Sequence, residues 1–435
     1  MYGAVHKDAL RKIRGEDLRK AAQESSIGAS GKCAKRFSTG NGTLQGGMMQ
    51  LNSRKKKILL TLFLAYVGLI LYICFFRPVG YLSDYPFFTH HWSLILHGKD
   101  PWLLPDGSMT GNAHPPLYNL LAIPYAIHDN LPRALFALVW LGLGAWLYWK
   151  LESENRMSTK RLLFLVAFIF LNPFFMFTIY GYLGQYDILV AALSVASVLA
   201  CTNKKDRLAG ILLGLAVAFK IYPVVIMPAL ALKGRKVKWQ FLYGFFIVII
   251  TVFGFSYLLW GNSIFVPISY AMGQKAATYS IFRVLRGVYP PLSTGLNWLS
   301  LSLIVASLSI LTVYHIKRQF EPLVASILFL MVTLTFYKVG FPQFYTTLFF
   351  LIPLWFFTDE RLSNDFVLKT VSIMPLVFIS VSLAANLIYS KGTTSFSDMF
   401  SWVGAPTFIL LMLAVIFIFR YALNTSRESA EGPSE

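Results

Sequence analysis

Long apolar runs, recurring from Ile58 almost to the C-terminus, constrain this chain more than any other feature. A run of about 20 apolar residues matches the hydrocarbon thickness of a bilayer, where a backbone must satisfy every N–H and C=O internally, as a helix or a closed barrel. The runs are continuous rather than alternating, which selects helices. Composition agrees. Hydrophobic residues make up 56% of the 435 and charged ones 14%, and mean hydropathy is +0.58, too apolar for an ordinary soluble domain. The predicted fold class is an all-α polytopic membrane protein.

Charge sets the expected orientation. The net charge of +19 could suggest nucleic acid, but residues 1–57 hold 13 Lys and Arg against 4 Asp and Glu. Most of the remaining excess flanks other apolar runs, as cytoplasmic ends of spans do, so no nucleic-acid partner is expected. Cys33, Cys74 and Cys201 are far apart and imply neither a disulfide framework nor a metal knuckle.

Residues 1–52 are polar and read as a disordered cytoplasmic tail, with Met48 and Met49, just before the cluster Arg54 to Lys57, as an alternative translation start. The transmembrane domain is expected over 53–422 and a second cytoplasmic tail over 423–435. Ten crossings are predicted: Ile58–Phe76, Leu131–Trp149, Leu162–Tyr180, Ile188–Cys201, Phe241–Trp260, Trp298–His315, Leu323–Tyr337, Phe344–Phe357, Val371–Tyr389 and Val403–Tyr421. Outer loops fall at 77–130 and 261–296, the first carrying short interfacial helices at Tyr85–His97 and Leu117–Ile127. Both termini are then cytoplasmic, in a prokaryotic cell membrane rather than the endoplasmic reticulum. Cysteines placed at Ser83, Ser280 and Thr393 should label from outside.

The run Leu208–Leu232 has basic clusters at both ends, which a single crossing does not accommodate. Broken at Lys220, Ile221, Tyr222 and Pro223, it becomes two halves of about twelve residues, each roughly 18 Å long. That predicts a membrane hairpin, entering and leaving on the cytoplasmic side. Its tip carries Lys220 into the interior, where an unpaired ammonium is costly and marks function.

The first outer loop is the richest in chemistry. Residues 79–118 contain five prolines, four of the seven histidines, and Asp84, Asp100 and Asp106, and loops of this length are usually functional. Asp84, just past the end of a span, is either a solvated carboxylate or a general base. Asp100 before Pro101 and Asp106 before Gly107 read as turn residues. His90 and His91 point about 100° apart on a helix, a poor metal pair, though either could bind a phosphate. Gln185 and Asp187 either cap the helix that begins there or bind substrate. Arg283 and Arg286 share a helix face suited to anionic headgroups, and Lys338 stands at a span end.

Four segments in order resemble the GT-C membrane glycosyltransferases: Asp84 with Gly98 to Trp102 and His114 to Pro116; GQYD at Gly184 to Asp187; AGILLGLAVAFKIYP at Ala209 to Pro223; and KVGFPQFY at Lys338 to Tyr345. The nearest branch is the polyprenyl-phosphate-mannose-dependent mannosyltransferases, of bacterial α-1,2 and glycosylphosphatidylinositol types. The resemblance implies transfer of a hexose, mannose first, from a polyprenyl-phosphate sugar donor to a lipid or glycan acceptor on the outer face, with no nucleotide and no required metal or other cofactor. It makes Asp84 the catalytic base and Lys220, Lys338, Arg283 and Arg286 the donor-phosphate cations. His90, His91, His114, Gln185, Asp187, Tyr222, Gln343 and Tyr345 become the substrate-binding set. One departure stands out: Leu82 and Pro86 replace the second acid of the family's paired-aspartate loop. A lone carboxylate implies a single inverting displacement.

Two other functions fit a chain of this kind. A secondary transporter would also use a broken helix and intramembrane charge, but no internal repeat is visible and the polar groups gather on one side. A non-catalytic subunit of an envelope assembly would be indifferent to loss of Asp84.

Overall fold

The computed structural model describes residues 53–77, 84–104, 106–154, 156–180, 184–289, 295–362, 365–389 and 402–431. The predicted tail over 1–52 and the labelling positions Ser83 and Thr393 lie outside them. The described chain is mainly helical, with four two-residue strands.

Among the described residues, seven helical segments are long and apolar enough to cross a bilayer: Lys57–Phe76, Leu131–Ser153, Thr159–Ile179, Trp239–Gly273, Gly295–Arg318, Phe366–Ala385 and Gly404–Ser426. The other three predicted crossings are realised as helices Asp187–Thr202, Pro322–Phe336 and Leu348–Thr358, of 16, 15 and 11 residues. At the α-helical rise these reach roughly 24, 22 and 17 Å, short of the ~30 Å hydrocarbon layer. Their surroundings explain the difference. Every residue from Leu323 to Thr335 and from Leu348 to Phe357 is buried, so the second and third of these helices are enclosed by protein. Irregular backbone at their ends is then tolerable at membrane depth.

In chain order, α1 (Ser53–Phe76) leads to α2 (Tyr85–Leu96), which buries Tyr85, Phe88, His91 and Trp92 on one face. A 3₁₀ turn, Pro116–Leu121, continues into α3 (Ala122–Ile127), matching the second predicted short helix. Next, α4 (Leu131–Ser153) carries Arg133, which is 1% exposed. Its guanidinium donates to the carbonyls of Cys74 (3.3 Å) and Arg77 (2.7 Å). Those carbonyls lie in the last turn of α1 and just past it, where no intrahelical donor remains, and a cation there also complements the helix dipole. The third span, Thr159–Ile179, loses α geometry around Asn172 and Pro173. Beyond it, Gln185 N donates to Thr178 O at 2.7 Å.

The predicted hairpin is present. After α5 (Asp187–Thr202), α6 (Asp206–Phe219) runs in and stops at Lys220, whose backbone is extended (φ −158°, ψ 132°). The 3₁₀ turn Tyr222–Ile226 and α7 (Met227–Ala231) run back. Both ends close on Lys238: its N–H donates to Ala231 O (2.8 Å) and its ammonium to Asp206 Oδ1 (3.0 Å). A tight antiparallel turn, β1 (Leu232–Lys233) with β2 (Lys236–Val237), leads into α8 (Trp239–Trp260). Glycines lock α6 against α8. A Cβ at Gly210 would lie 2.0 Å from Phe241 O, one at Gly214 2.9 Å from Phe245 O, and one at Gly244 2.2 Å from Arg207 O. Small residues four apart let two backbones touch where no hydrophobic effect drives helices together.

The segment after α8 begins with a 3₁₀ turn and α9 (Val266–Gly273). Its strand β3 (Ala277–Thr278) pairs in parallel with β4 (Val339–Gly340), so the KVGFPQFY turn docks on it. Between them α10 (Ile281–Val288) starts at Ser280, whose side chain accepts from Phe282 N. Ser280 is buried, against the expectation of outside labelling, because the backbones of Gly340 and Gly404 press on it. The remaining helices are α11 (Gly295–Arg318), α12 (Pro322–Phe336), α13 (Leu348–Thr358), α14 (Phe366–Tyr389) and α15 (Gly404–Glu431). The last stays helical into the predicted tail over 423–435.

Candidate active site

Asp84 occupies the N-cap position of α2, yet its side chain makes no capping bond. A carboxylate at a helix start normally serves the open N–H groups; this one accepts instead from Gln185 Nε2, at 2.5 Å. Gln185 is buried and follows Gly184, whose φ is +62° and whose Cβ position lies 2.9 Å from the Tyr85 ring. A side chain at 184 would push the two segments apart. Although Asp84 sits at an exposed rim, its carboxylate leans on a buried wall. That burial raises its pKa above the ordinary value, opposed by the Gln185 hydrogen bond and the Lys220 charge.

The next two residues repeat the device. Tyr186 places its hydroxyl 2.6 Å from His114 Nδ1. Asp187, 1% exposed, holds the Lys220 ammonium with both oxygens at 2.9 Å. That ammonium also lies over the rings of Phe344 (4.7 Å) and Tyr186 (5.2 Å). Three successive side chains thus orient three groups brought from elsewhere: Asp84 from the start of α2, His114 from the loop before the 3₁₀ turn, and Lys220 from the hairpin tip.

These groups line one cavity of about 320 Å³, shared by Asp84, His91, His114, Gln185, Lys220, Tyr222 and Gln343. Burial lowers His91 to a pKa of about 4, so its ring is neutral. Tyr222 donates to or accepts from Thr347 Oγ1 at 3.2 Å. Beside the cavity runs an apolar groove of about 470 Å³ between α9, α11, α12 and the hairpin, with Ile221, Tyr222, Ala271, Tyr337 and Phe344 as common wall. Lys338 lines the groove rather than the cavity. Its ammonium donates to Met272 O (2.7 Å) and Asn297 Oδ1 (3.0 Å), both neutral, and makes no ion pair among the described residues.

Other predicted site residues stand apart from both spaces. His90 is exposed and Tyr345 is buried in the core, its hydroxyl without a hydrogen-bond partner among the described residues. Asp187 lies behind Lys220. Arg283 and Arg286 sit on α10 and line neither space. Conversely, Tyr186, Tyr270, Gln274 and Tyr337 belong to the site without having been singled out. Tyr186 is inside the GQYD motif itself. Tyr270 and Gln274, four apart at the end of α9, show the spacing of one helix face.

Against known proteins, the sequence profile of glycosyltransferase family 87 matches residues 112–342. That stretch runs from just before His114 through the GQYD turn and the hairpin to Lys338. GPI mannosyltransferase 1 of Aspergillus fumigatus is 33% identical over 160 residues, 35% of this chain and 36% of the relative. The protein of the same name from Aspergillus oryzae is 34% identical over 150 residues, 34% of each. The chain therefore spans about a third of the length of these curated relatives. The family profile covers more than half of the chain and, of the cavity's lining, all but the Asp84 segment, Thr110, Gly111, Gln343 and Phe344: the chain belongs to glycosyltransferase family 87.

Proposed function

We propose that this protein transfers a hexose, mannose first, from a polyprenyl-phosphate donor to a hydroxyl of a lipid or glycan acceptor on the extracytoplasmic or luminal face. The supporting observation is the shared wall between a polar cavity holding Asp84 and an apolar groove holding Lys338. A donor with a sugar at one end and an isoprenoid at the other requires such a pair of spaces. The names of the Aspergillus relatives favour mannose.

In the proposed step Asp84 takes the proton of the acceptor hydroxyl while that oxygen bonds to the anomeric carbon. The carbon–oxygen bond to phosphate breaks, its electron pair stays on the phosphate oxygen, and the sugar centre inverts. Gln185 holds one Asp84 oxygen and leaves the other to act. Lys220 is largely neutralised by Asp187 and contributes a positioned N–H. Lys338, with no acid beside it among the described residues, brings the larger uncompensated charge to the departing phosphate.

The test is incubation of purified protein in lipid with radiolabelled polyprenyl-phosphate mannose and candidate acceptors. Wild type should form product; Asp84→Asn should bind donor without turnover. No transfer from any polyprenyl-phosphate hexose, or wild-type turnover by Asp84→Asn, overturns the reading.

A further inference from the structure

We infer that His114 serves the cavity as a neutral hydrogen-bond donor to a hydroxyl of the bound sugar, and that Tyr186 is the positioning residue that fixes its tautomer. The inference rests on reading the cavity as a sugar site. His114 is engaged on nearly every side. Its backbone N–H donates to Asn112 Oδ1 (3.0 Å), and its carbonyl accepts from Trp102 Nε1 (3.0 Å). Its ring packs against Tyr118 (4.4 Å between centroids), Tyr186 (5.1 Å) and Phe88 (5.2 Å).

Tyr186 has one proton to give and two acceptors within reach, His114 Nδ1 at 2.6 Å and Phe219 O at 3.4 Å. Spent on the much shorter contact, that proton makes Nδ1 the acceptor, and a neutral ring then carries its own proton on Nε2, on a ring that lines the cavity. Spent on Phe219 O, it would reverse the tautomer, and nitrogen spectra decide between the two.

The groups facing this imidazole are Tyr186, Tyr118, His91 and the Lys220 ammonium. Burial, then the Lys220 charge and His91, push His114 well below the ordinary histidine pKa. A neutral N–H is a weak partner for a phosphate, which Lys338 and Lys220 are better placed to serve. It suits a hydroxyl oxygen, and a site built around such a bond discriminates against a sugar lacking that hydroxyl.

Two measurements test the assignment. Nitrogen spectra of isotope-labelled histidine in the full-length protein in lipid, with the His114 signal identified by its loss in His114→Gln, should show a neutral, Nε2-protonated ring near neutral pH. In Tyr186→Phe the tautomer should change. An imidazolium or an Nδ1-protonated ring in the wild type overturns the inference. The second measurement compares polyprenyl-phosphate mannose with its singly deoxygenated analogues. Wild type should reject one of them by roughly tenfold to a hundredfold in kcat/KM. His114→Ala should lose that preference, and His114→Gln, which keeps a donor, should retain part of it. Equal discrimination by wild type and His114→Ala overturns the hydroxyl assignment. Absence of any transfer by the wild type sinks the functional reading beneath it, and the spectra still decide the tautomer.

Discussion

The Asp187–Lys220 pair allows a quantitative separation of stability from chemistry. Both carboxylate oxygens lie 2.9 Å from the ammonium, with side chains 1% and 14% exposed. Removing either partner leaves the other charge buried and uncompensated, which costs about 3–5 kcal/mol. Asp187→Leu and Lys220→Met should therefore each destabilise by that amount. Were the two sites independent, the double variant would lose about 6–10 kcal/mol. Because the apolar replacements leave no stranded charge, the double variant should instead lie within about 1–4 kcal/mol of wild type, on either side. Chemical denaturation in detergent micelles, followed by tryptophan fluorescence, gives the four corners of the cycle. The proposed function adds a second readout: all three variants should fail to transfer sugar, including the double variant that folds well. Losses that simply add in the double variant would refute the coupling, and a stable double variant with full transfer would remove Lys220 from the site.

Four further outcomes are expected. Asp84 must be ionised to act as base, and burial raises its pKa, so transfer should fall as pH drops through a value above the ordinary carboxylate range. Gln185→Ala, which removes a bond to the ionised form, should move that acid limb to higher pH in kcat/KM profiles; a shift to lower pH would contradict the assignment. Gly210→Leu should yield little monodisperse protein on size-exclusion chromatography, because its Cβ position lies 2.0 Å from Phe241 O, whereas Gly68→Ala, with nothing within 4 Å, should behave as wild type. Lys338→Ala should raise the donor KM roughly tenfold or more, while Arg286→Ala should not; equal effects would place the donor phosphate near α10 instead.

Much of this was legible in the sequence for a physical reason: burial in lipid demands long apolar runs, and basic clusters punctuate their ends. The paired basic clusters around Leu208–Leu232 foretold the hairpin on those grounds. Hydropathy does not tell lipid from protein surroundings, however, so nothing in the sequence marks α12 and α13 as buried along their length. Nor does it reveal pairing over distance. Asp187 lies 33 residues before Lys220, and no local pattern shows that it neutralises the ammonium; likewise the glycines of α6 and α8 acquire meaning once the helices cross. GQYD could be read as capping or binding because its side chains reach partners up to 101 residues away in sequence.

One consequence concerns the bilayer itself. From Lys57 onward, Ile70 and Cys74 are the fully buried residues of α1, so the rod rests on the bundle along one side, held at mid-length by the Tyr66 hydroxyl on Phe170 O and at its Phe76 end by Arg133. A rod held at those two points has its freest end at Lys57. Thicker or thinner membranes would be met by tilting of α1, with the swing taken up at the Lys57 end, while Arg77, seven residues before Asp84, holds its position.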